Sequence, residues 1–172
     1  MAIAFETQRL RVEEISANLS PDEQSILVKQ IPTILTPPVV ENLPPYFHRI
    51  TSRQLAQVWL DQMLLESRLL QVKSTANELI GFLFAYVESE NNVAHIGYLL
   101  CEECWGKGLA SELLQSFIKE VTRTESWSKL VGGVDTSNVA SASLLKKLGF
   151  IERPENESGV IFYEYTIPRP QS

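Results

Sequence analysis

Polar and apolar residues alternate through TQRLRV (7–12), the period of a strand with one buried face. Ser20-Pro21-Asp22-Glu23 then offers a helix start, with Ser20 as cap, Pro21 in the first turn and Glu23 completing a capping box. Pro32 should end that helix near Ile31. Five of the nine prolines (32, 37, 38, 44 and 45) fall within 32–45, which predicts a long loop rather than regular helix or inner strand. Such a loop is either a lid or binding loop or a passive surface connection. Leu55, Val58, Trp59, Gln62 and Met63 follow helical spacing over 51–66. Segments 69–73 and 78–88 read as paired strands about a polar turn at 74–77. Segment 92–101 is apolar on both faces, as in the middle of a sheet.

Leu109, Leu113, Leu114, Phe117, Ile118 and Val121 mark one face of a helix. A strand at 129–135 is interrupted in character by Gly132 and Gly133. Ala140, Leu144, Leu145 and Leu148 line a short helix, and Gly149 stands where a left-handed C-terminal residue is wanted. Strands at 150–152 and 160–167, joined by the turn-rich 154–159, close the chain. No internal repeat breaks this order. It predicts one domain over 1–172, with its core at about 7–167, of α/β (α+β) class: a mixed sheet of about six to seven strands with helices on both faces.

Composition narrows the function. Hydrophobic residues make up 44% and charged residues 21%, ordinary for a soluble domain. No apolar run approaches the ~20 residues that span a bilayer, and MAIAFETQRL has no signal-peptide pattern. A cytoplasmic protein without membrane partners is expected. Fifteen basic against 21 acidic residues give a net charge of −6, poorly suited to a nucleic-acid backbone but compatible with a local site for a small anion. Cys101 and Cys104 form a C-x-x-C pair. Zinc takes four ligands, and His48 and His95 are far apart in sequence. A thioredoxin-like pair would sit beside a βαβ pattern, whereas this one precedes a glycine turn. Two small apolar residues at a strand end is the preferred reading, and no metal is expected.

The strand at 92–101 runs through Glu102-Glu103-Cys104-Trp105 into Gly106-Lys107-Gly108-Leu109-Ala110-Ser111, where the long helix begins. A helix N-terminus presents free N–H groups and a positive dipole end to a phosphate. Glycines at 106 and 108 remove side chains that would hold a pyrophosphate off the backbone, and Ala110 keeps the next position small. Lys107 either adds charge or is simply solvated. A P-loop would need Gly at 101 and Ser or Thr at 108, and the dinucleotide fingerprint a third Gly at 111; the residues there are Cys, Gly and Ser.

The stretch IGYLLCEECWGKGLASELL (96–114) resembles the acetyl-CoA motif of the GCN5-related N-acetyltransferases (GNAT). It is closest in kind to the bacterial ribosomal-protein N-terminal acetyltransferase branch, including Trp105 where other branches carry Arg or Gln. NVASASLLKKLGF (138–150) resembles the branch's second motif, about thirty residues on. TQRLRV (7–12) and ELIGFL (78–83) are similar to its first strand and central hairpin; 13–66 carries little of the likeness. The resemblance implies a splayed sheet in which the strand at 92–101 parts from that at 129–135. Pantetheine would pair there with backbone near Leu99, Leu100 and Cys101. The pyrophosphate would rest on Gly106, Lys107, Gly108, Leu109, Ala110 and Ser111. Gly132 and Gly133 would admit the cofactor closely or mark a β-bulge.

The implied chemistry is direct attack of a neutral primary amine on the thioester in a ternary complex. A base must accept the amine proton, and a donor must face the carbonyl oxygen, for which an N–H at Leu100 or Cys101 is the candidate. Many relatives protonate the thiolate with a tyrosine seven residues after the asparagine. Here that position is Leu145, and Ser141 is the implied substitute, or else a helix-surface hydroxyl bonded to its own backbone. Asn138 orients pantetheine, caps its helix, or does both. His95, where the branch often has Glu, is the candidate base or a structural histidine, with Glu88, Glu102 and Glu103 as rivals. The acceptor is a protein N-terminus or a small-molecule amine, its pocket expected from the proline-rich loop and the 51–66 helix. The protein is expected to be a monomer or homodimer. A non-catalytic acyl-CoA-binding module with this fold is the alternative.

Overall fold

The computed structural model describes residues 2–157 and 159–169. β1 (Ala4–Glu6) and β2 (Leu10–Glu14) open the chain as a hairpin. α1 (Pro21–Ile34) follows. The Ser20 hydroxyl accepts the Glu23 N–H at 3.2 Å, and the Glu23 carboxylate accepts the Ser20 N–H at 3.4 Å, so the capping box is closed. Pro32 does not end this helix near Ile31. Proline forfeits one hydrogen bond, yet the Leu35 N–H still reaches the Ile31 carbonyl at 3.0 Å, and Ile31 and Ile34 are buried.

The predicted loop at 32–45 is also more ordered than expected. It carries α2 (Pro37–Val40) and then a 3₁₀ turn at Pro45–Phe47. Each begins on a proline, whose missing N–H costs nothing at a first helical position, and buried Val40 and Phe47 anchor them.

α3 (Arg53–Glu66), capped by the Ser52 hydroxyl, leads into β3 (Arg68–Ser74), β4 (Leu79–Glu88) and β5 (Val93–Leu100). A 3₁₀ turn at Glu102–Cys104 precedes α4 (Leu109–Thr124), β6 (Lys129–Asp135), α5 (Val139–Lys147), β7 (Ile151–Glu157) and β8 (Val160–Thr166). β7 therefore runs through most of the stretch expected to be a turn; position 158 lies outside the described residues.

Among the described residues the sheet has eight strands, in the order β1-β2-β3-β4-β5-β6-β8-β7, against the six to seven expected. The addition is β1, too short to declare a period. All neighbours are antiparallel except β5 and β6. Helices cover both faces. On one, Trp59 of α3 meets Phe82 (ring centroids 5.2 Å) and Phe47 meets Phe84 (5.4 Å). On the other, Phe117 of α4 meets Phe5 (6.5 Å), and Leu145 of α5 lies over Gly132. Among the described residues no helix is long and apolar enough to cross a membrane.

Gly132 and Gly133 are neither a bulge nor vacant space. β6 keeps continuous register with β8 from Lys129 to Asp135. A Cβ on Gly132 would come within 3.2 Å of Leu145, and one on Gly133 within 3.1 Å of the Phe162 ring. Helix and strand packing explain both.

Candidate functional site

β5 and β6 pair from Val93↔Lys129 to Ile96↔Gly132 and no further, although β5 continues to Leu100 and β6 to Asp135. The centre of the sheet opens there. Backbone alternation determines which groups face the opening. The Cys101 N–H donates to the Ile80 carbonyl at 2.8 Å, and Leu100 is the cross-strand partner of Gly81. In an antiparallel ladder the next residue then turns its N–H and C=O the other way. Leu100 and, two residues back, Tyr98 therefore direct their backbone toward the side β6 has left. Leu99 and Cys101 direct theirs toward β4. Of the two N–H groups considered for the carbonyl oxygen, the one on Cys101 is held by the sheet and the one on Leu100 faces the opening. The Leu100 carbonyl accepts the Trp105 indole N–H at 2.9 Å, which folds the following turn back over the strand end.

That turn carries Gly106 at φ +73° and Gly108 at φ +78°, both in the left-handed region where a Cβ is strained. Gly108 is the N-cap of α4, and among the described residues no side chain caps the helix. Among the described residues, a Cβ on Gly106 would meet no atom within 4 Å and one on Gly108 only the Arg9 guanidinium, at 3.6 Å. The start of α4 is thus open and lined by N–H groups, a shape and polarity that fit a diphosphate. Leu109 is buried and anchors the helix start, Ala110 and Ser111 are half-buried, and the Lys107 side chain is exposed.

Asn138 caps α5, its Oδ1 accepting the Ser141 N–H at 3.2 Å. The Ser141 hydroxyl does not turn back on its own helix. It lies 3.1 Å from the Tyr98 hydroxyl, across the opening-side face of β5. Burial raises the Tyr98 pKa, and the bond to Ser141 offsets this only in part. Tyr98 is absent from the sequence-level candidates. The available signal was strand alternation, which puts it on the same side as Leu100.

His95 projects from the opposite face of β5, beside its cross-strand neighbour Tyr86. Its Nε2 lies 2.6 Å from Glu88 Oε1. The His95 hydrogen bond is the largest influence holding the Glu88 carboxyl below its usual range, aided by Asn91 and by the charges of His95 and Arg153. The pair lines a cavity of about 310 Å³ with Ser128, Lys129, Arg153 and Glu164. Ser141 and His95 therefore approach β5 from opposite faces, next to the point where the sheet parts.

Cys101 and Cys104 are free thiols with sulfurs 3.0 Å apart. Burial, then Cys104 and Glu103, push the Cys101 thiol up to about 12. Among the described residues no three His, Cys, Asp or Glu side chains gather as a metal site.

The acetyltransferase (GNAT) domain model matches residues 32–151. N-acetyltransferase p20 of Bacillus licheniformis is 30% identical over 113 residues, a match covering 63% of this chain and 63% of that relative. Among solved structures, the chain is similar to RimL, a ribosomal L7/L12 α-N-protein acetyltransferase in complex with coenzyme A. The TM-score is 0.77 and the identity 19%, over 97% of this chain and 98% of that one. It is also similar to the microcin C7 self-immunity acetyltransferase MccE in complex with acetyl-CoA and AMP (TM-score 0.71, 15% identity, 94% of each chain).

Proposed function

The chain belongs to the GNAT acetyltransferase family, and from that premise we propose that it transfers the acetyl group of acetyl-CoA to a primary amine by direct attack in a ternary complex. The observation that carries this reading is the end of β5–β6 pairing at Ile96↔Gly132, which leads straight to the open, uncapped, glycine-bearing start of α4. A pantetheine arm fits the first and a diphosphate the second.

Acetyl-CoA supplies an activated acyl thioester; this chain's residues supply binding, orientation and proton handling. The turn from Gly106 through Lys107, Gly108, Leu109 and Ala110 to Ser111 holds the diphosphate on backbone N–H groups. Tyr98 offers its exposed strand backbone to pantetheine, while Leu99 and Cys101 keep theirs with β4 and the Leu100 carbonyl stays with the Trp105 indole. The Leu100 N–H faces the carbonyl oxygen as negative charge develops on it. Ser141, hydrogen-bonded to Tyr98, delivers a proton to the departing sulfur, and Asn138 fixes the helix turn that places Ser141. His95, oriented by Glu88, takes the amine proton from the other face. Orientation of amine and thioester on the two sides of the parted sheet contributes much of the rate.

The acceptor is a protein N-terminus or a small-molecule amine, in line with the ribosomal-protein substrate named for RimL. One catalytic domain over 1–172, acting without a metal, completes the proposal. The test is thiol release from acetyl-CoA with a panel of N-terminal peptides and small amines. Amine-dependent release that falls in His95→Gln supports it. Tight acetyl-CoA binding with no turnover on any amine would instead assign a non-catalytic acyl-CoA-binding module.

A further inference from the structure

The turn between β1 and β2 is tied to the start of α4 by residues about a hundred positions away. Glu112, in the first turn of α4, accepts the Arg9 N–H at 3.0 Å, the Arg9 Nε–H at 2.7 Å and the Thr7 hydroxyl at 2.5 Å. Thus fixed, the Arg9 guanidinium donates through Nη1 to the Lys107 carbonyl at 2.8 Å. Its Nη2 lies 3.6 Å from where a Gly108 Cβ would stand.

The Lys107 carbonyl and the Gly108 N–H belong to one trans peptide, so they point in opposite directions. Holding the carbonyl toward Arg9 holds the Gly108 N–H away from it, at the helix start that no side chain caps. We propose that Arg9 is a positioning residue for the cofactor: by gripping the Lys107 carbonyl it keeps the Gly108 N–H presented to the diphosphate, and by pairing with Glu112 it neutralises a carboxylate that would repel that anion. The inference rests on the acetyl-CoA reading above. It also accounts for Thr7 and Arg9 in TQRL, a stretch that a strand alone does not explain. Arg9 is 46% and Glu112 19% exposed in their ion pair, so solvent screens part of what the pair adds to stability. Comparing coenzyme A with a ligand that lacks the diphosphate separates the network's effect on binding from its share of stability.

The experiment titrates coenzyme A and pantetheine, which lacks the diphosphate, into the wild-type chain and into Arg9→Ala and Arg9→Lys. One misdirected charge-assisted hydrogen bond corresponds to about 10- to 100-fold in affinity. Arg9→Ala is expected to weaken coenzyme A by that factor and pantetheine by less than about twofold, whatever the change in melting temperature. Arg9→Lys, which reaches the Lys107 carbonyl but not Glu112 as well, recovers part of the loss. Coenzyme A affinity unchanged in Arg9→Ala, or equal weakening of both ligands, overturns the inference and leaves the acetyl-CoA reading standing. A wild-type chain that binds no coenzyme A removes both. Should Arg9→Ala fail to fold, Arg9→Lys carries the same comparison between ligands.

Discussion

Gly106→Ala separates backbone strain from loss of a ligand seat. The residue sits at φ +73°, and a Cβ there would touch no atom of the described residues within 4 Å. The only intramolecular cost is that of a left-handed alanine, about 1–2 kcal/mol. In a domain of this size each kcal/mol moves the melting temperature by roughly 2–4 °C, so the unliganded variant should melt about 2–8 °C lower. That strain is already present without ligand, because the turn is left-handed in the free chain. It cancels when bound and free states are compared. Any fall in coenzyme A affinity therefore reports the methyl group in the proposed diphosphate seat. Losing one backbone hydrogen bond to the anion amounts to about 1.5–3 kcal/mol, or roughly 10- to 100-fold in Kd. Gly159, at φ +81° with nothing within 4 Å of its Cβ position, is the control, since it lies in the β7–β8 turn. Gly159→Ala should show a similar thermal loss and no change in affinity. Calorimetric titration of both variants decides the matter: a Gly106→Ala Kd within about twofold of wild type would refute the assignment of the turn.

Tyr98→Phe and Ser141→Ala should each lower kcat by about tenfold, below the full range of acid catalysis, because a thiolate of pKa ~8.5 already departs readily, while KM for acetyl-CoA holds steady; a change in KM alone would recast the pair as a binding contact. Burial keeps the Tyr98 hydroxyl protonated above its ordinary pKa, so wild-type kcat should show no loss from this group below about pH 10. Burial alone would raise the Glu14 pKa, but the Arg68 hydrogen bond, the Ile3 N–H and the Arg68 charge together hold it below the usual range. A depressed folded value gives stability that is full above the unfolded pKa of ~4.3 and lost as pH falls through the folded one. Glu14→Gln should thus cost about 1 kcal/mol near neutral pH, with the gap to wild type closing below pH ~4; a gap that widens in acid would contradict the ion-pair account. Alkylation at pH 8, read by mass spectrometry, should label Cys104 well before Cys101, whose thiol is raised to about 12; equal labelling would show that Cys101 is not shielded.

What the sequence declares here is local. The Ser20 capping box, the glycine pair before α4 and the short helix ending at Gly149 follow from turn and cap chemistry within a few residues, and the strands at 79–88 and 129–135 from short apolar runs bounded by polar turns. Where reading failed, distant contacts decided. Pro32 stays inside α1 because buried Ile31 and Ile34 reward the extra turn. α2 forms inside a proline-rich stretch because Val40 has a core to enter. β1 is three residues long and is held by its pairing with β2 and by Phe5 against Phe117 of α4. The parting of β5 from β6 has no signature in either strand; it is a matter of register, and only the family resemblance anticipated it. Tyr98 was hidden among apolar neighbours, and its link to Ser141 spans 43 positions. Arg9 and Glu112 lie 103 apart and look like ordinary surface charges until the fold joins them.

The central proposal is that the open start of α4 and the parted strands beside it hold acetyl-CoA. Thermal melting of the intact chain with acetyl-CoA, and separately with ATP and NAD, tests this most directly. Ligand at ~100 times its Kd adds about 2.7 kcal/mol, roughly 5–11 °C here, and the prediction is a rise of that order with acetyl-CoA and little with the other two. An unchanged melting temperature at millimolar acetyl-CoA, or an equal rise with ATP, would contradict it.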